Sequence, residues 1–268
     1  MLSKLLKHEY RATARIMLPI YVLVAGASLL FNVFMRLADK YDNVALEFFR
    51  ITSVSIYGMT LLGALVVTFG LMVFRFYKNY MTDEGYLMFT LPVSTSQLIL
   101  SKLLVAMTWT VLTALAVGLG VFLGCLGLFD WNEVLPAISD ALSPLLGILP
   151  SSYLPLMGVN LFVSAVSNFL LIYAAISLGH SFANKKILLS VVFYFAFNAG
   201  IRSVSSILGI FLAVISDKGT LFSGEASEAW FSSYTTLSSI LSITLGVIFA
   251  VVFYIVTRLL LKKRLNLQ

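Results

Sequence analysis

The sequence holds a single cysteine, Cys125, inside an apolar run, which excludes a disulfide within the chain and leaves the redox compartment open. Its two histidines, His8 and His180, stand far apart. No HExxH pattern or paired carboxylate motif lies in an apolar run, so the convergent ligand or nucleophile set of an intramembrane enzyme is missing. No Walker A sequence occurs either, and the chain is expected to bind no nucleotide, metal or other cofactor of its own. Charged residues make up only 11%, and none of the acids falls inside a predicted span. A carrier driven by protons or sodium ions ordinarily keeps acids at mid-membrane, so any transport here draws its energy from elsewhere. A basic domain is also lacking, which argues against nucleic acid as a partner despite a net charge of +6.

What the sequence has in quantity is apolar surface: 60% hydrophobic residues and a mean hydropathy of +0.98. About twenty apolar residues in a helix cross the ~30 Å hydrocarbon core. Runs of that kind predict six membrane-spanning helices near 16–35, 54–74, 98–129, 156–178, 187–202 and 237–261. The expectation is an all-α integral membrane protein forming one transmembrane domain over 1–268. The apolar part of the third span, 103–129, is roughly 40 Å long at 1.5 Å per residue, so it must tilt or protrude. It carries Gly120 and Gly124 as a GxxxG, which we read as a close helix contact within the chain.

Ahead of the first span, residues 2–15 form an amphipathic helix by phase. Lys4, Lys7, Arg11 and Arg15 share one side, and Leu2, Leu5, Leu6 and Ile16 lie opposite. Such a helix lies flat among the lipid head groups. Glu9 breaks the pattern by projecting from the apolar side. It is either a partly exposed boundary glutamate or a buried carboxylate paired with a basic residue of the loop after the second span, Arg75 or Lys78.

Residues 36–50 read as a mixed-charge connection, and 130–155 as a proline-punctuated one with Trp131 and Tyr153 as interfacial anchors. The apolar run 187–215 is interrupted by Asn198, Gly200 and Arg202, so it is split into a fifth span and a re-entrant or interfacial piece at about 203–215. Arg202 is the one ionisable side chain deep in an apolar run. It either snorkels to the outer head groups as an anchor or caps an outer gate together with Asn198.

The stretch between the second and third spans carries the most specific signal. Thr82-Asp83-Glu84 places a capping residue and two carboxylates at a helix start, and Pro92 ends that short helix. Ser94, with Gln97 three residues on, opens the next helix as a capping box. The run TDEGYLMFTLPVSTSQLILSKLL, Thr82 to Leu104, resembles the loop between the second and third spans of bacterial ABC exporter permeases of the type 2 group. The resemblance implies that Asp83, Glu84, Gly85, Tyr86, Leu87, Phe89 and Thr90 form a coupling helix resting in a groove of a cytoplasmic ATPase subunit. It implies that 2–15 is an elbow helix packed beside that region, with Glu9 as its polar contact. It also implies a second permease subunit, identical or homologous, and ATP with Mg held by the ATPase partner.

Charge position orients the chain. With six spans and both ends cytoplasmic, thirteen Lys and Arg fall on the inner side and four, Arg36, Lys40, Arg50 and Lys218, on the outer. That satisfies the positive-inside rule for a multi-pass protein of the cell membrane. The function expected is therefore the permease subunit of an ATP-driven exporter. The alternatives are a membrane immunity or sensory module that binds a peptide without transporting it and, ranked lower, an ion-coupled carrier.

Overall fold

The computed structural model describes residues 2–41, 43–82, 84–90, 92–128, 130–150, 152–182, 185–216 and 228–265. Among these the chain forms eight helices and no strand: α1 (Leu2–Lys40), α2 (Val44–Met81), α3 (Glu84–Phe89), α4 (Thr95–Cys125), α5 (Trp131–Ile148), α6 (Tyr153–Gly179), α7 (Lys186–Ser216) and α8 (Glu228–Leu265). Six of them, α1, α2, α4, α6, α7 and α8, are long and apolar enough to cross a membrane.

The distribution of side chains is that of a protein solvated by lipid. Val22, Leu23, Leu62, Val66, Phe195 and Ile207 are exposed, whereas Glu9, Thr13, Thr68, Lys102, Thr113 and Thr257 are buried. In water such a surface would associate, since a soluble monomer rarely exposes a large contiguous apolar patch. In a bilayer the apolar faces meet lipid, and helices associate through close packing and hydrogen bonds between polar side chains. The chain is a multi-pass membrane protein.

The helices group into two units, Met1–Asn79 with Thr90–Leu135 and Tyr80–Phe89 with Pro136–Gln268. In the first, α1 packs along α4 through a seam of polar contacts. Tyr10 and Thr108 share a 2.7 Å hydrogen bond, and Trp109 donates its indole N–H to Thr13 Oγ1 at 2.7 Å. Thr113 is bonded to Tyr21 at 2.9 Å and to Thr68 of α2 at 3.0 Å. At the far end Asn32 donates to the Gly124 and Leu126 carbonyls, satisfying groups that a helix terminus leaves unpaired. The GxxxG lies in this seam. A Cβ on Gly120 would stand 2.9 Å from Val24 and 3.0 Å from Ser28, and one on Gly124 3.0 Å from the Tyr57 hydroxyl. Its use is therefore contact within the chain, as read.

In the second unit α6 is the central helix. Its residues from Phe169 to Ser177 are buried without interruption, and it packs on α8 and on α7. Gly246 of α8 lets Val163 of α6 approach, with a Cβ there falling 2.7 Å from Val163 Cγ1.

Four expectations about boundaries are corrected. The amphipathic segment 2–15 and the first span are one helix, α1, and Pro19 does not interrupt it. Interior proline is tolerated in membrane helices because neighbouring groups satisfy the freed carbonyl. The mixed-charge connection shrinks to residues 41–43, because α1 and α2 extend to meet it. Ion pairs of Arg50 with Glu47 at 2.9 Å and Asp39 at 3.6 Å steady that turn.

Residues 131–148 form helix α5 despite Pro136 and Pro144. Pro144 has no N–H for the Asp140 carbonyl, and the Ser143 hydroxyl donates to it instead at 3.0 Å. Of the two predicted interfacial anchors, Tyr153 is half-buried, and the Trp131 side chain lies outside the described residues. Finally, 203–215 is no separate re-entrant piece but the second half of the 31-residue α7. Arg202 and Asn198 do not break it, since their side chains bond to each other one turn apart.

Candidate functional site

Helical spacing puts Glu9, Thr13, Met17, Val24 and Ser28 on one buried face of α1. Lys4, Lys7, Arg11 and Arg15 lie on exposed positions, as their phase requires. Glu9 is only 6% exposed, so its carboxylate must find partners or carry a large desolvation cost.

It finds three. Lys102 of α4, itself buried, donates to Oε1 and forms an ion pair with it. Asn79 of α2 donates to the same oxygen at 3.2 Å. Arg75, one helical turn before Asn79, brings Nη2 to 3.3 Å from Oε2. This last contact is electrostatic rather than a directed hydrogen bond, for neither Oε2 nor Arg75 Nε has a hydrogen-bond partner.

One carboxylate thus faces two cations contributed by the two helices that flank α3 in the chain. Oε1 takes two donors, and Oε2 faces the Arg75 cation. The arrangement joins α1, α2 and α4 through one carboxylate. Next to it, Thr13 donates back to the Glu9 carbonyl at 2.8 Å while accepting from Trp109, which fixes the helix turn carrying Glu9.

Of the two sequence readings of Glu9, the buried, paired one is therefore what the structure has. Arg75 was anticipated as a partner and Lys102 was not, while Lys78 is exposed. Lys102 lies in α4 among the buried Ser101, Val105 and Ala106, where an unpaired ammonium could not stay.

The predicted coupling helix is α3, six residues long, with Glu84 in its first turn. The N–H of Gly85 bonds the Thr82 carbonyl at 2.9 Å. Gly85 is buried, and a Cβ there would stand 2.9 Å from the Tyr80 carbonyl oxygen, so this position accepts glycine only. Glu84 and Thr90 are exposed. Asp83 lies outside the described residues, as do the side chains of Tyr86, Leu87 and Phe89. The restart at Ser94 is as read: its backbone is extended, and its hydroxyl accepts from the Gln97 N–H at 3.3 Å.

Asn198 and Arg202 are brought together on α7, where Arg202 Nε donates to Asn198 Oδ1 at 3.2 Å. Because α7 continues to Ser216, Arg202 sits near its midpoint, roughly 20 Å from either end at 1.5 Å per residue. Sequence reasoning also missed a polar face on α6, Asn160, Ser164, Ser167 and Asn168, whose spacing marks one side of an otherwise apolar helix.

No family model, curated protein or solved structure matches the chain.

Proposed function

We propose that the chain is the permease subunit of an ATP-driven exporter of the type 2 group. In this reading it resides in the cell membrane with both termini cytoplasmic, pairs with a second permease subunit, and receives ATP-driven force from separate ATPase subunits that hold ATP and Mg. The observation that carries it is the clamp at Glu9. The helix proposed to meet the ATPase, α3, is tied by short connections to the ends of α2 and α4. Arg75 and Asn79 of α2 and Lys102 of α4 converge on a single carboxylate of α1. A push on α3 therefore loads two spans that are locked to a third, and the three move as one body. The loop resemblance and the inward bias of Lys and Arg support the same reading.

The test is a triple alanine variant at Tyr86, Leu87 and Phe89. Truncating a central aromatic at a protein interface commonly costs about 2 kcal/mol or more. The variant is expected to reach the membrane at normal abundance, to lose co-purification of an ATPase subunit, and to lose the ATP hydrolysis that accompanies it. Wild-type behaviour in both measurements leaves the exporter reading without its mechanism.

A further inference from the structure

Arg202, near the middle of the apolar α7, lines a polar cleft between α6, α7 and α8. The cleft encloses about 280 Å³ and is lined by Ser164 and Asn168 of α6, Asn198, Arg202 and Ser205 of α7, and Ser242 of α8 among others. Two acceptors, one in the cleft and one next to it, are already taken. Asn198 Oδ1 takes the Arg202 Nε–H, and Asn160 Oδ1 takes the hydroxyls of Ser164 at 3.1 Å and Ser242 at 3.3 Å. Several donors are not: among the described residues both terminal nitrogens of Arg202, the amide nitrogens of Asn168 and Asn198, and the Ser205 hydroxyl have no hydrogen-bond partner.

No acidic residue occurs in α6 or α7, and the described part of α8 has only Glu228, at its first residue, so the guanidinium has no counter-charge along the three spans. A charged group at this depth is costly unless something neutralises it. Unused amide and hydroxyl donors around a planar, forked cation are complementary to an oxyanion, which a guanidinium binds in bidentate fashion.

We propose that this cleft holds a phosphate group carried by an anionic amphiphile of the bilayer, with Arg202 as its charge partner. An amphiphile is the carrier because Phe195 and Val191, two and three turns before Arg202 on the same face of α7, are exposed and apolar, so that face meets acyl chains directly. The volume, below the ~300 Å³ lower end of small-molecule pockets, suits a head group rather than a whole lipid. The site does not depend on coupling to an ATPase and stands whether or not the chain is a permease.

The test is thermal unfolding of the full chain in a neutral maltoside detergent, titrated with dioleoyl phosphatidylglycerol. Parallel titrations use dioleoylglycerol and inorganic phosphate. The wild-type protein is expected to gain a saturable rise in Tm with the phosphatidylglycerol alone. Arg202→Gln should raise the half-saturating concentration about tenfold or more, as loss of a charge-assisted hydrogen bond implies. Asn168→Leu should raise it severalfold while leaving the Arg202–Asn198 bond in place.

No response of the wild type, or identical curves for wild type and Arg202→Gln, overturns the proposal. An equal effect of inorganic phosphate overturns the amphiphile as the source, and an equal effect of dioleoylglycerol shows that chains rather than the head group bind. Should Arg202→Gln fail to fold, Asn168→Leu decides: an unchanged half-saturating concentration rejects the site.

Discussion

Lys102 of α4 donates to the Glu9 carboxylate of α1 across 93 residues of sequence, and both side chains are buried. A buried pair is not automatically stabilising, because desolvation offsets much of the attraction, but removing one partner exposes the whole penalty of the other. Glu9→Gln leaves two cations facing a neutral group and is expected to destabilise by about 3–5 kcal/mol. Lys102→Met costs less, since Glu9 keeps Arg75. The double variant should fall short of the sum by about 1 kcal/mol or more, as coupled neighbours do. Unfolding midpoints in detergent for the four proteins measure this. Additivity within about 0.3 kcal/mol shows that the two residues do not act as a unit.

The α1–α4 seam makes a second, purely steric prediction. A methyl group at Gly120 would press on Val24 and Ser28, whereas Gly118 has nothing within 4 Å. Gly120→Ala is therefore expected to cost about 1–3 kcal/mol as overpacking. Gly118→Ala should be neutral or slightly stabilising, because alanine suits a helix better than glycine. Equal melting temperatures for the two variants would contradict the packing described for this seam.

Topology can be read by cysteine labelling, with Cys125 replaced first. Ser143, exposed on α5, should react with a membrane-impermeant thiol reagent in intact cells. Residue Asn79 is a poor inner reporter, since it is buried against Glu9. Thr82, exposed just beyond α2, serves instead and should react only after the membrane is opened. Labelling of Thr82 in intact cells reverses the orientation.

What could be read from the sequence follows from which interactions are local. The six spans were visible because a long apolar run has few alternatives to a membrane helix. Ser94 was visible because a capping box is a four-residue pattern. Glu9 stood out because one carboxylate on an apolar face needs an explanation.

Boundaries failed where a local signal was outweighed by the cost of an unpaired backbone. Pro144 looked like a breaker, yet Ser143 supplies the missing hydrogen bond. Asn198 and Arg202 looked like an interruption, yet each satisfies the other within α7. Lys102 as the partner of Glu9 was hidden because no local pattern pairs residues so far apart. The polar face from Asn160 to Asn168 was legible in its spacing, but it only became a cleft once α7 and α8 placed Arg202 and Ser242 beside it.

Gly85 offers the sharpest test of the loop. A Cβ there meets the Tyr80 carbonyl oxygen at 2.9 Å, a backbone atom that cannot swing aside as a flexible side chain can. With only six residues, α3 has no length over which to absorb the displacement. Gly85→Ala should therefore re-aim the helix while leaving the spans intact. If α3 docks on an ATPase, co-purification of that subunit should fall severalfold at unchanged membrane abundance. Exposed Glu84 is expected to matter less, and Glu84→Gln should stay within about twofold of wild type, since rim charges contribute little to affinity. A Gly85→Ala protein that retains its ATPase while the Tyr86, Leu87 and Phe89 triple variant loses it would place the recognition in side chains rather than in the pose of the helix. Full retention by both would mean that α3 is a solvated turn.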